Sequence, residues 1–152
     1  MNNKLISLIL ALLFCFGFVP SAIAAGDLTK QTPIEVKVML GDTKDALRFY
    51  PAQLTFETGK LYKLVLHNAS SMKHYFSSAG LARSVFTRKV QVLGADGKSI
   101  AEIKGTIREI EVYPGGTAEW WFVPLQTANL KDLRCTIKGH TEAGMVGSIT
   151  IK

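Results

Sequence analysis

Short runs in which apolar and polar residues alternate, each ended by a turn signal, constrain this chain more than any other feature. Ile34–Leu40 (IEVKVML) alternates in the way a half-buried strand does. Leu54–Asn68 (LTFETGKLYKLVLHN) reads as two short strands around a Thr58-Gly59 turn. KVQVLGADGKSIAEIKG carries a hairpin signal at Asp96-Gly97. REIEVYPGGTAEWWFVP is a further pair of strands broken by Pro114-Gly115-Gly116, and SITIK closes the chain as a last strand. One helix is expected over Ser78–Thr87, capped by Ser77 or Ser78, with Leu81, Ala82, Val85 and Phe86 on one face. Many short strands, regular turns and a single short helix predict an all-β chain, an antiparallel β-sandwich or barrel. Trp120, Trp121 and Phe122 fall in one strand, so at least one of the two indoles is expected to be buried.

The first residues do not share this pattern. Lys4 opens them, an apolar run from Leu5 to Val19 follows, and Ala22 and Ala24 stand where signal peptidase takes small side chains. This reads as a signal peptide over residues 1–24 that directs export to the periplasm, leaving one domain over 25–152 with no stable membrane insertion. Cleavage removes Cys15, so Cys135 becomes the sole cysteine of the exported chain. It has no partner for an internal disulfide, and a lone thiol in an oxidising compartment is a liability unless buried or ligated. Loss of Lys4 lowers the formal charge from +6 to +5. The basic residues are scattered and no aromatic nucleic-acid motif accompanies them, so no nucleic-acid partner is expected. A mild pull toward acidic partners is.

RCTIKGHTEAGM, from Arg134 to Met145, places Cys135, His140 and Met145 at regular intervals in one Gly-containing loop. Thiolate and imidazole select zinc, copper or iron, and a thioether shifts the choice toward copper. Two imidazoles, one thiolate and a weak axial Met make a mononuclear electron-transfer copper site. The second imidazole has to be His67 or His74. His74 is favoured, because it follows the strand LYKLVLHN by a short segment, whereas His67 alternates with Val65 and Lys63 on the strand itself. Gly139 and Gly144 each precede a ligand and let the loop turn without a Cβ.

In this ordered set the chain resembles the cupredoxins, the small type 1 blue-copper proteins of the plastocyanin and azurin kind. RFYPAQLTFETGKLYKLVLHN is similar to the stretch leading to their first ligand, YPGGTAEWWFVP to the turn and strand before the Cys-bearing strand, and C-x4-H-x4-M with VGSITI to the ligand loop and final strand. The resemblance implies a Greek-key β-sandwich and one copper ion held by His74, Cys135, His140 and Met145. It departs at one position. Many members carry an Asn directly after the first ligand His, where it helps to hold the thiolate; here Tyr75 follows His74, and Asn68 lies upstream.

Three histidines and one exported cysteine leave too few imidazoles for a trinuclear cluster and too few thiolates for a binuclear thiolate-bridged site. No Gly-x-Ser-x-Gly elbow is present, so no hydrolase and no enzyme is expected. The expected function is a monomeric one-electron carrier, its partner a redox protein such as a cytochrome or oxidase. Copper buffering, delivery or tolerance, with a copper-handling partner, is the alternative.

Overall fold

The computed structural model describes residues Lys30–Lys152, and Gln31–Lys152 form one compact unit. Residues 1–24, expected to be a signal peptide and including Cys15, lie outside the described residues. In chain order the elements are β1 (Ile34–Leu40), β2 (Phe49–Tyr50), β3 (Gln53–Phe56), β4 (Tyr62–Asn68), β5 (His74–Ser77), α1 (Ala79–Ser84), β6 (Val85–Leu93), β7 (Ser99–Ile103), β8 (Glu109–Val112), β9 (Thr117–Pro124), β10 (Ala128–Arg134) and β11 (Val146–Ile151).

Two sheets face each other across an apolar core. One has the order β2-β1-β4-β9-β6-β7 and the other β3-β11-β10-β5-β8. The strand periodicity does what the alternation predicts: Val38 and Leu40, Leu64 and Leu66, and Trp120 and Phe122 point inward and are almost fully buried. Aromatic rings fill the centre edge to face. Phe56 lies 5.1 Å from Phe122, and Trp120 lies 5.3 Å from Phe122. Trp121, the next residue, faces outward, where Lys89 and Lys63 lie over its ring.

The sheets are mixed, not wholly antiparallel. β1 runs parallel to β4 and β3 parallel to β11. The cause is in the turns. Those at Thr58-Gly59 and Pro114–Gly116 carry the chain from one sheet to the other, so β3 and β4, like β8 and β9, are not hairpin partners. Only the Asp96-Gly97 turn among these signals joins neighbours, β6 and β7, as expected.

The helix is real but shorter than its apolar spacing suggests. Ser78 caps it, its hydroxyl accepting from Leu81 N at 3.0 Å. Val85, Phe86 and Thr87 leave it and pair with Pro124, Val123 and Phe122 as the start of β6. Phe86, counted on the helix face, is 57% exposed. Two β-branched residues and an aromatic suit the pleated strand better than a last helical turn. Asp132 of β10 docks the helix, accepting from Ser78 Oγ at 2.8 Å and from Gly80 N at 2.7 Å.

Within the five-stranded sheet, β10 and β5 meet in register only at Arg134 and Ser77. On either side of this seam the ladders are longer. The seam runs to one end of the sandwich, where Cys135 follows β10 and His74 opens β5.

Candidate metal centre

Three donor atoms converge at that end. His74 Nδ1 lies 3.3 Å from His140 Nδ1, Cys135 Sγ lies 3.4 Å from His140 Nδ1, and all three lie within 4.8 Å of one another. Bonds of about 2.0–2.3 Å to one ion put ligand atoms roughly 3.3–3.9 Å apart around a trigonal or tetrahedral centre. The two spacings to His140 Nδ1 fit bonds to a single ion.

The loop that brings two of these donors together is closed by its own backbone. Cys135 N donates to Met145 O at 3.0 Å, prolonging the β10–β11 ladder past Arg134 and Val146. Met145 N returns a bond to His140 O at 2.9 Å, and Thr141 Oγ1 donates to Cys135 O at 2.7 Å. Gly139 and Gly144 stand at φ +87° and +98°, the left-handed region that Gly occupies most cheaply. Met145 is completely buried in the same core cluster as Cys135. His140 is half-buried, while Ala143 and Gly144 beside it are exposed.

His74 arrives from the other side of the seam, as the first residue of β5, and is fully buried. Its second nitrogen is held by a network that the sequence did not reveal. Ser70 Oγ lies 2.8 Å from His74 Nε2. The hydroxyl has one proton and two acceptors for it, Asn68 Oδ1 at 2.9 Å and Met72 O at 2.8 Å. With its proton on either of these it presents a lone pair to the imidazole, and on that arrangement Nε2 is assigned the hydrogen and Nδ1 is left bare toward Cys135 and His140. Burial first, and then the neighbouring His140, push the His74 imidazole below its ordinary pKa. Both effects favour the neutral form that a metal requires.

Asn68 anchors this network. Its amide donates to Met72 O at 2.7 Å and Val112 O at 2.8 Å, while its oxygen accepts from the Ser70 amide at 3.0 Å and the Ser70 hydroxyl. A second clamp comes from the loop after β1, where Asp45 accepts from Ser71 N at 2.7 Å and Ser71 Oγ at 2.8 Å. These two bonds hold the Asp45 carboxyl below the usual range. Gly41 closes the space behind the imidazole. It sits at φ +70°, and a Cβ there would lie 2.9 Å from Ser70 Cβ and 3.0 Å from His74 Nε2.

Tyr75 replaces the expected Asn without leaving the sulfur bare. Its backbone N–H donates to Cys135 Sγ at 3.3 Å. A backbone donor needs no particular side chain, so the departure costs this contact nothing. His67 is not at the centre. It is exposed on β4, with Nδ1 2.9 Å from Thr117 Oγ1. Sequence reasoning thus singled out the donors that converge, and missed Ser70, Gly41 and the Tyr75 amide.

No protein-family model matches the chain. Among solved structures, a multi-copper oxidase from Pediococcus acidilactici superposes on 80% of this chain with a TM-score of 0.58 at 16% identity; that match covers 26% of the oxidase. Auracyanin A, a blue copper protein of Chloroflexus aurantiacus, gives a TM-score of 0.50 at 16% identity, over 80% of this chain and 100% of its own. The chain has the cupredoxin fold. Among curated proteins, the copper-resistant cuproprotein CopI of Rubrivivax gelatinosus is 28% identical over 117 residues, 77% of this chain. The match spans 66% of that protein, a little under two thirds of its length. Within the cupredoxin fold, the two imidazoles and the buried Cys135 sulfur form a donor set suited to one copper ion.

Proposed function

We propose that this cupredoxin is exported to the periplasm by residues 1–24, binds one type 1 copper through His74, Cys135, His140 and Met145, and carries single electrons. The observation that carries the reading is the convergence of His74 Nδ1, His140 Nδ1 and Cys135 Sγ within 4.8 Å. Copper supplies the one-electron couple, and the chain supplies its surroundings. Ser70 fixes the His74 tautomer, Tyr75 N–H tempers the charge on sulfur, and the buried position of Cys135 and Met145 keeps water away. The half-buried His140, its Nδ1 3.4 Å from Cys135 Sγ, is the route for electrons. A redox protein with an acidic face is the partner that the basic surface favours.

A second reading, copper buffering, delivery or tolerance with a copper-handling partner, is favoured by the similarity to a copper-resistance cuproprotein. The two readings separate in one comparison. The copper-loaded protein is reduced and reoxidised by stopped flow with periplasmic cytochromes, and the same preparation is tested for Cu(I) transfer to acceptor proteins. Fast exchange supports the carrier. Sluggish exchange, together with tight Cu(I) binding and a copper-sensitive deletion strain, supports tolerance. A colourless Cu(II) form without a thiolate charge-transfer band would refute the type 1 assignment itself.

A further inference from the structure

The outer face of the six-stranded sheet carries a row of four side chains, one per strand: Tyr50 on β2, Met39 on β1, His67 on β4 and Thr117 on β9. Met39 is in register with Tyr50 on one side and with His67 on the other, and His67 is in register with Thr117. Register partners share a face, on strands about 4.8 Å apart. The face is the solvent side. Met39 is 40% and Tyr50 39% exposed, while Val38, Leu40, Leu66 and Asn68, their chain neighbours, are buried.

The two ends of the row are anchored. Tyr50 donates its hydroxyl hydrogen to Asp42 Oδ2 at 3.3 Å, and His67 Nδ1 is paired with Thr117 Oγ1 at 2.9 Å. The second contact occupies the inner ring nitrogen and leaves Nε2 as the open donor of an exposed imidazole. Met39 stands between the anchored groups. Its unbranched side chain has enough rotatable bonds to bring Sδ beside Nε2 of the adjacent strand.

We propose that Met39 and His67 form a second, surface site for a soft monovalent cation, Cu(I), separate from the buried centre. Thioether plus imidazole selects a soft ion, and the pair offers nothing to calcium or magnesium, which require oxygen ligands. Two donors on an open face bind a metal loosely and release it readily, which suits acquisition or hand-over of copper. The site belongs to His67, the histidine that the buried centre leaves unused. It goes beyond the buried copper reading and does not depend on it.

The test is a titration of the intact protein with Ag(I), a redox-inert stand-in for Cu(I), followed by NMR of methionine methyl groups and histidine ring nitrogens. Met39 methyl and His67 Nε2 are expected to shift together, with one binding curve. Met39→Leu is expected to weaken the His67 response by roughly tenfold or more, as loss of a ligand should, and His67→Gln to weaken the Met39 response likewise. Both substitutions lie on an exposed face and leave the core intact. Silence of both signals at a large excess of Ag(I), or an unchanged His67 curve in Met39→Leu, would overturn the proposal. Met145 and His74 report the buried centre in the same spectra. Their silence beside a responding Met39 and His67 would count against the buried copper reading alone.

Discussion

Replacing Ser70 with Ala removes the one acceptor for His74 Nε2–H and leaves the rest of the network standing. Asn68 Oδ1 keeps the Ser70 amide at 3.0 Å, and Met72 O keeps the Asn68 amide at 2.7 Å. The imidazole is fully buried, so its N–H loses a partner that water does not replace. An orphaned buried donor costs about 1–3 kcal/mol. For a domain of this size, that lowers the melting temperature by roughly 4–12 °C. The larger effect falls on the metal. Without Ser70 the proton is free to move to Nδ1, where it points at His140 and Cys135 and blocks the donor. Loss of a partner of this kind typically weakens metal binding by about 10–100-fold. Two measurements check the reasoning: ring-nitrogen NMR of His74 in the metal-free protein, and copper affinity by competition with a chelator. Wild type is expected to hold the Nε2–H form, and Ser70→Ala a mixture with weaker copper. A folded Ser70→Ala protein with His74 still wholly in the Nε2–H form and undiminished affinity would refute the argument.

Gly41→Ala is expected to act on the same imidazole from behind. Positive φ and contacts near 3 Å with Ser70 and His74 together cost about 2–4 kcal/mol, read as a fall in chemical stability and a changed copper spectrum. Cys135→Ser should abolish the intense thiolate-to-Cu(II) band. His74→Ala should open the site to added ligands, whereas His67→Ala, on the outer face, should leave the visible spectrum nearly unchanged; bleaching by His67→Ala would reverse the assignment. Met145→Leu should keep copper and its colour while raising the potential by voltammetry, because an apolar axial position favours Cu(I); loss of copper from this variant would contradict a weak axial role. Asp132→Asn removes one of two acceptors that dock α1, and should cost about 1–3 kcal/mol in denaturant unfolding with no change in copper colour.

The parts legible in the sequence are those with local causes. Alternation sets which face of β1, β4 and β9 is buried, Ser78 marks the start of α1, and the spacing of Cys135, His140 and Met145 marks the loop. The choice of His74 over His67 was also legible, because a residue in period with Val65 and Lys63 shares their face and cannot turn toward the end of the sandwich. What was not legible is non-local. The strand ending at Cys135 was expected, but the polar run ANLKDLR gives no sign of where it begins, and β2 is only two residues long. The parallel pairings depend on which sheet each turn delivers the chain to, which no window of residues records. Ser70, Gly41 and Asp45 matter only because the loops before β2 and before β5 are stitched side by side. In sequence they are an ordinary serine, glycine and aspartate.

The seam between β10 and β5 gives the metal a mechanical meaning. One ladder holds Cys135, with the closed loop that carries His140 and Met145; the other begins at His74. Among the described residues, one backbone register pair, the Tyr75 N–H contact with Cys135 Sγ, the Thr136–Glu109 bond and the Asp132 clasp join them. An ion bonded to His74 on one side and to Cys135 and His140 on the other would act as a rivet across the least-stitched line in the sheet. Copper would then set how readily the sheet parts as well as how it passes electrons. The amides of Tyr75 and Cys135, on opposite banks of that line, are where metal removal should first quicken hydrogen exchange.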